Sequence, residues 1–152
     1  MKVIAQNKKV SFDYEILEKY EAGVELLGFE VKSIKSGHIS IQGSFVVVRD
    51  SQLYLLNAFV PPYQPKNAPS NYNPSRTRRL LLHRFQTKKL IGKTKEKGLT
   101  LMPFKVYNKD NKIKIEVVLA RPRKKIDKRE KIRGRDVQRE IERELKERSY
   151  KQ

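Results

Sequence analysis

Along residues 113–119 apolar and polar positions alternate. Ile113, Ile115, Val117 and Leu119 fall on one side, with Lys114 and Glu116 on the other. A period of two predicts a strand with one buried face. Residues 101–107 read as its partner, and the intervening NKDNK is rich in turn formers, so the pair is a predicted hairpin. A second hairpin is predicted through SFVVVRD and QLYLLNAFV, turning at Asp50 and Ser51. Upstream, YEILEKYEAGVELLG sets Tyr14, Ile16 and Tyr20 at even spacing, which fits a strand; residues 14–19 fit a helix nearly as well. The 3.6-residue period predicts two helices. GFEVKSIKSG groups Phe29, Val31 and Ile34, with Gly37 as a left-handed stop. Residues 84–97 offer Thr87, Leu90, Ile91 and Thr94 as an inner stripe, with Gly98 at the end. Strands arranged in hairpins, not alternating with helices, predict a mainly β antiparallel barrel with helices packed at its ends.

The pattern breaks twice. PPYQPKNAPSNYNPS, residues 61–75, holds five prolines and is too long to be a simple connection. Near residue 121 the apolar alternation gives way to charge, dividing the chain into a barrel domain, 1–120, and a basic tail, 121–152. In the tail Val137, Ile141 and Leu145 recur every four residues, a stripe too narrow to hold a helix on the barrel. Glu142–Lys146, Glu144–Arg148 and Glu147–Lys151 are i, i+4 pairs, each worth roughly 0.2–0.5 kcal/mol. Such a segment is expected to be mostly disordered alone and helical when bound.

Charge then narrows the function. The chain carries 35 Lys and Arg against 17 Asp and Glu, a net +18. The tail holds 14 basic and 7 acidic residues, so both parts are basic. A field of this size favours a polyanion, and nucleic acid fits better than an anionic membrane, because no helix shows a broad apolar face. No apolar run approaches the roughly 20 residues of a membrane span. The absence of cysteine and of a signal-like apolar start fits a cytoplasmic protein. IGKTK, residues 91–95, lacks the phosphate-loop glycine, since Thr87 stands there; Gly92 is instead expected at a close helix-packing position. His38 and His83 have no metal-ligand spacing and read as surface or helix-end residues. No acidic cluster suggests a two-metal nuclease, so no enzyme activity, metal or cofactor is expected. RTRR, residues 76–79, leads into LLLHRF, and Tyr63, Tyr72, Phe104 and Tyr107 are candidate stacking surfaces, although Phe104 and Tyr107 read more readily as barrel core.

Three stretches carry a resemblance: NKKVSFDYEILEKYEAGVELLGFEVKSIKSG, RTRRLLLHRFQTKKLIGKTKEKGLTLMPFKVY and DKRE in the tail. In this order, over nearly the whole chain, they resemble the small protein B family, which binds transfer-messenger RNA (tmRNA) in bacterial trans-translation. The resemblance implies a closed six-stranded antiparallel barrel of oligonucleotide-binding type with about three helices. It implies a cytoplasmic monomer that binds the tRNA-like domain of tmRNA. With elongation factor Tu and GTP, the complex would enter stalled ribosomes, and the tail would lie in the empty mRNA path of the small subunit. Asn7, Glu21 and Leu81 match positions associated with RNA binding, and Lys8, Lys9 and Arg79 supply cations beside them. Glu21 would accept from base amino groups or a ribose 2′-hydroxyl, or orient nearby cations. Asp127, Lys128 and Arg129 match the triplet that works at the decoding centre, with Arg133, Arg135 and Arg139 following along the tail. Phe12, Tyr72 and Ile126 depart from the family pattern. A general single-strand nucleic-acid-binding barrel is the alternative reading.

Overall fold

The computed structural model describes residues 1–123 and Arg139, which is helical and exposed. The tail residues Asp127, Lys128, Arg129, Arg133 and Arg135, and Ile126 before them, lie outside the described residues.

Among residues 1–123, seven strands and three α-helices follow in the order β1 (Lys2–Gln6), α1 (Lys8–Asp13), β2 (Tyr14–Val24), α2 (Gly28–Lys35), β3 (Phe45–Arg49), β4 (Gln52–Leu56), β5 (Arg78–Leu81), α3 (Arg84–Thr94), β6 (Thr100–Lys109) and β7 (Lys112–Pro122), with a short 3-10 turn at Pro65–Asn67. All pairings are antiparallel, and the sheet order is β1-β6-β7-β2-β5-β4-β3. The expected six-stranded closed barrel is therefore corrected to a seven-stranded sheet whose edge strands, β1 and β3, do not pair with each other. β3 lies close to β6 instead, without a ladder between them. β2, β6 and β7 run 10 or 11 residues, whereas the strands toward the sheet's two ends, β1, β3, β4 and β5, have only 4 or 5, so the two edges present little backbone for a closing ladder.

Both predicted hairpins form. Asp50 and Ser51, then Asp110 and Asn111, occupy two-residue turns with positive φ at each position, the geometry that matches strand twist. Ser51 at φ 59 is a non-glycine residue in left-handed conformation. Ser51→Gly is expected to raise folding stability by roughly 0.5–1 kcal/mol, read as a higher midpoint in urea; an unchanged or lower midpoint would show that the turn is unstrained.

Residues 14–24 are strand throughout, settled by the β2–β7 ladder from Tyr14↔Pro122 to Gly23↔Lys114. α2 and α3 form as predicted, with Gly37 and Gly98 at φ 89 and 85 just beyond, although α3 stops at Thr94. Leu90 anchors its inner face, fully buried. Gly92 is a correction: it sits on the exposed side of α3, where a Cβ would meet nothing within 4 Å. It is inside a helix and not in a strand-linked loop, which also removes the phosphate-loop geometry.

The main core gathers Ile34, Leu53, Leu55, Leu80, Leu90 and Leu101 with Ile115, Val117 and Leu119. A second, smaller core lies on the other face of β6 and β7, where Val10 of α1 covers Phe104, Val118 and Ala120. The sheet face opposite the main core is thus half covered by α1 and half open.

Candidate nucleic-acid interface

The open half of that face is set by alternation on three strands. On β7, Ile113 and Ile115 point inward, so Lys112, Lys114 and Glu116 point out. On β6, a bulge between Pro103 and Lys105 puts Lys105, Tyr107 and Lys109 on the same outer side. On β2, Ala22 is buried, and its neighbours Glu21 and Gly23 face out. The result is a lysine-bordered surface around two paired carboxylates, Glu21 and Glu116.

Glu21 is its centre. The Tyr107 hydroxyl donates to Glu21 Oε2 at 2.6 Å, and Lys109 Nζ lies 3.2 Å from the same oxygen. These bonds, aided by the charges of Lys109 and Lys114, hold the Glu21 carboxyl below its ordinary range. Burial and the bond to Glu21 raise the Tyr107 phenol well above its usual value, keeping it a donor. Tyr107 is itself only 4% exposed, so its ring is covered by its neighbours on this face and offers no stacking surface. Phe104 is likewise buried, with Lys19 and Lys105 Nζ at 5.6 and 5.3 Å from its ring centre.

Strand register fixes where the sequence-predicted residues fall. Gln6 pairs with Lys105, Lys105 with Glu116, and Glu116 with Glu21. Asn7 follows Gln6, so Asn7 and Glu21 stand about three strand spacings apart, roughly 14 Å. They share one sheet without sharing a pocket. Asn7 is buried at the start of α1, its backbone N–H bonded to the Phe104 carbonyl at 2.8 Å. With Lys8, Lys9 and Gln42 it lines a cleft of ≈ 200 Å³. Leu81 joins the Glu21 side, because it pairs with Gly23 across β2 and β5. Arg79 also faces out, but it reaches Gln52 at 3.1 Å and Glu25 at 3.6 Å.

RTRR separates unexpectedly. Arg76 and Arg78 turn inward onto Glu30, which is fully buried, as is Arg78 at 1% exposure. Arg78 Nε donates to Glu30 Oε2 at 2.8 Å, and its other nitrogens donate to the carbonyls of Ala58, Arg76 and Pro74. The Tyr72 hydroxyl lies 2.9 Å from Glu30 and 2.8 Å from the Val60 carbonyl. Its ring meets Phe29 edge-on at 4.7 Å. This node ties both ends of the proline-rich loop to α2, so two of the three RTRR arginines and Tyr72 are structural, while Tyr63 remains 46% exposed. Burial alone would push the Glu30 carboxyl up; Arg76, the Leu27 N–H, Arg78 and Tyr72 outweigh it and leave it at about 2.

Sequence reading passed over Lys105, Lys109 and Lys114 as site residues. The signal was present, since they occupy the polar positions of alternating strands. His38 is exposed, and His83 is the N-cap of α3, its ring stacked with Phe85 at 6.5 Å. Among the described residues no group of three or more His, Cys, Asp or Glu is placed to hold a metal, and no helix is long and apolar enough to cross a membrane.

Known proteins share this chain's length and order. The family described as SmpB protein matches residues 4–147. An SsrA-binding protein from Sulfurihydrogenibium sp. (strain YO3AOP1) is 48% identical over 145 residues, covering 95% of each chain. Another from Geobacillus kaustophilus (strain HTA426) is 50% identical over 147 residues, covering 97% of this chain and 94% of that one. A solved chain described under "tmRNA-SmpB: a journey to the center of the bacterial ribosome" is 41% identical, covers 88% of this chain and 96% of its own, and superposes with a TM-score of 0.66.

Proposed function

The chain belongs to the SmpB protein family, and from that premise we propose that it is a non-catalytic RNA-binding adaptor for ribosome rescue. It binds the tRNA-like domain of tmRNA and brings it to stalled ribosomes for trans-translation. It acts in the cytoplasm as a monomer, and elongation factor Tu with GTP joins through the RNA. The observation that carries this reading is the open, lysine-bordered face around Glu21. A helix covers the neighbouring half of the same sheet, while this half is left as a polar, cationic surface with one oriented acceptor. Phosphates meet Lys105, Lys109 and Lys114; Glu21 takes an amino group or a 2′-hydroxyl, which phosphate binding alone would not need.

Division of labour follows from the two parts of the chain. Residues 1–120, with Asn7, Lys8, Lys9, Glu21, Arg79 and Leu81, hold the RNA. Residues 121–152 act on the ribosome, with Asp127, Lys128, Arg129, Arg133, Arg135 and Arg139 in the vacant mRNA path near the decoding centre.

The test compares RNAs of equal length. The protein is expected to prefer a folded tRNA-like elbow over unstructured RNA. Glu21→Ala is expected to weaken elbow binding about tenfold, with a much smaller loss on unstructured RNA. Equal affinity of the unaltered protein for both RNAs would instead favour a general single-strand binder. An equal loss on both would reduce Glu21 to an electrostatic or folding role.

A further inference from the structure

We propose that Arg76 is a positioning residue for RNA recognition: by sharing Glu30 with Arg78, it fixes the register of β5 and so decides that Arg79 and Leu81 face outward. A one-residue slip turns every side chain of a strand to the other face. The apolar pattern usually prevents this, but β5 and the residue after it read Arg78-Arg79-Leu80-Leu81-Leu82, with no alternation. The ladders of β5 are also short. It pairs through two residues with β2, Gly23↔Leu81 and Val24↔Leu80, and through two with β4, Tyr54↔Arg79 and Leu55↔Arg78.

Slipped one way, β5 would drive Arg79 into the core site of Leu80, a charge without a partner. Slipped the other way, Arg79 and Leu81 take the inward sites of Arg78 and Leu80, and each site receives the residue type it already holds. The connection before β5, residues 57–77, is long enough to absorb one residue. After β5, Leu82 and His83 lead into the first turn of α3, where helices fray. What separates the two registers is the place two residues before the inward arginine. It holds Arg76, whose Nε donates to Glu30 Oε2 at 3.1 Å, while Arg78 Nε donates to the same oxygen at 2.8 Å. Arg76 also bonds Glu30 Oε1, which otherwise has the Leu27 N–H. In the slipped register that place holds Thr77, which carries no charge for the fully buried carboxylate. Selecting one register over another is the best-attested use of a buried polar or ionic group.

The experiment reads register and binding separately on the full chain. In the unaltered free protein, NMR contacts join Gly23 to Leu81 and Tyr54 to Arg79. Arg76→Ala is expected to add a second set, Gly23 to Leu82 and Tyr54 to Leu80. Elbow-RNA binding should weaken by the reciprocal of the remaining native fraction, about threefold or more. Thr77→Arg approaches from the other side. It alters an exposed residue and gives the slipped register a second arginine of its own. The same second set is expected, with weaker elbow binding despite one more cation, whereas a purely electrostatic role predicts tighter binding. A single register in either folded variant overturns the proposal, and Thr77→Arg decides it if Arg76→Ala does not fold. Mixed registers with unchanged elbow binding overturn the positioning role in recognition. That role rests on the RNA-binding reading above: if the unaltered protein does not bind the elbow RNA, that reading falls, while the register is still decided on the free protein.

Discussion

Glu30→Ala is expected to remove about 3–5 kcal/mol of folding stability, because it strands the buried Arg78 guanidinium without a counter-charge. For a chain of this size the melting temperature should fall on the order of 10 °C. Arg78 is 1% exposed, so water cannot replace the lost carboxylate unless the loop carrying Tyr72 opens. Removing both charges with Glu30→Leu and Arg78→Met should cost clearly less than the sum of the single changes, since neither charge is then left alone. Acid gives an independent check. Glu30 is held at about 2 when folded, against 4.5 unfolded. Its contribution is therefore complete above pH 4.5 and is lost as pH falls through about 2. Thermal unfolding across that window should show a steeper loss for the unaltered protein than for Glu30→Gln. A single-variant loss below about 1 kcal/mol, or identical pH slopes, would show that the node does not anchor the fold.

Truncation before Ile126 is expected to abolish peptide tagging on stalled ribosomes while leaving elbow-RNA binding within about tenfold. The sheet supports this separation. β7 ends at Pro122, and the Arg123 backbone N–H bonds to the Asp13 carbonyl at 2.9 Å, so the ladder is complete before the cut. Lys128→Ala with Arg129→Ala should reproduce the loss of nascent-chain transfer without affecting RNA delivery, because two phosphate-binding cations are removed from the segment assigned to the decoding centre. Delivery is read by ribosome co-sedimentation of the RNA, and transfer by the tagged product. Parallel loss of RNA binding and tagging would end the division between body and tail, and normal transfer in the double variant would remove the decoding-centre role.

Local sequence determined the elements whose stabilising partners lie close along the chain. Asp50-Ser51 and Asp110-Asn111 mark their hairpins because the turn residues and the strands they join lie within a dozen positions. α2 and α3 show their period and their glycine stops, and the alternation of Ile113 to Leu119 names the inner face of β7. Net charge pointed to a polyanion for a similar reason, since it is a sum over residues and needs no fold.

Tertiary structure decided what depends on distant partners. α1 is six residues, too short to display a period, and it exists because Val10 finds Phe104, Val118 and Ala120 beneath it. Residues 14–19 fit a helix nearly as well as a strand, and the ladder to β7, about a hundred residues away, makes them strand. Whether the sheet closes depends on whether short edge strands reach each other, which no single strand records. RTRR reads as three equal cations, yet Arg76 and Arg78 are drawn inward by a carboxylate 46 and 48 residues earlier, leaving Arg79 on the outer surface. Glu21 and Leu81 become neighbours only through Gly23 across the β2–β5 pairing. Sequence spacing fixes which way a side chain points on its own element; the group it meets there is chosen by packing and register.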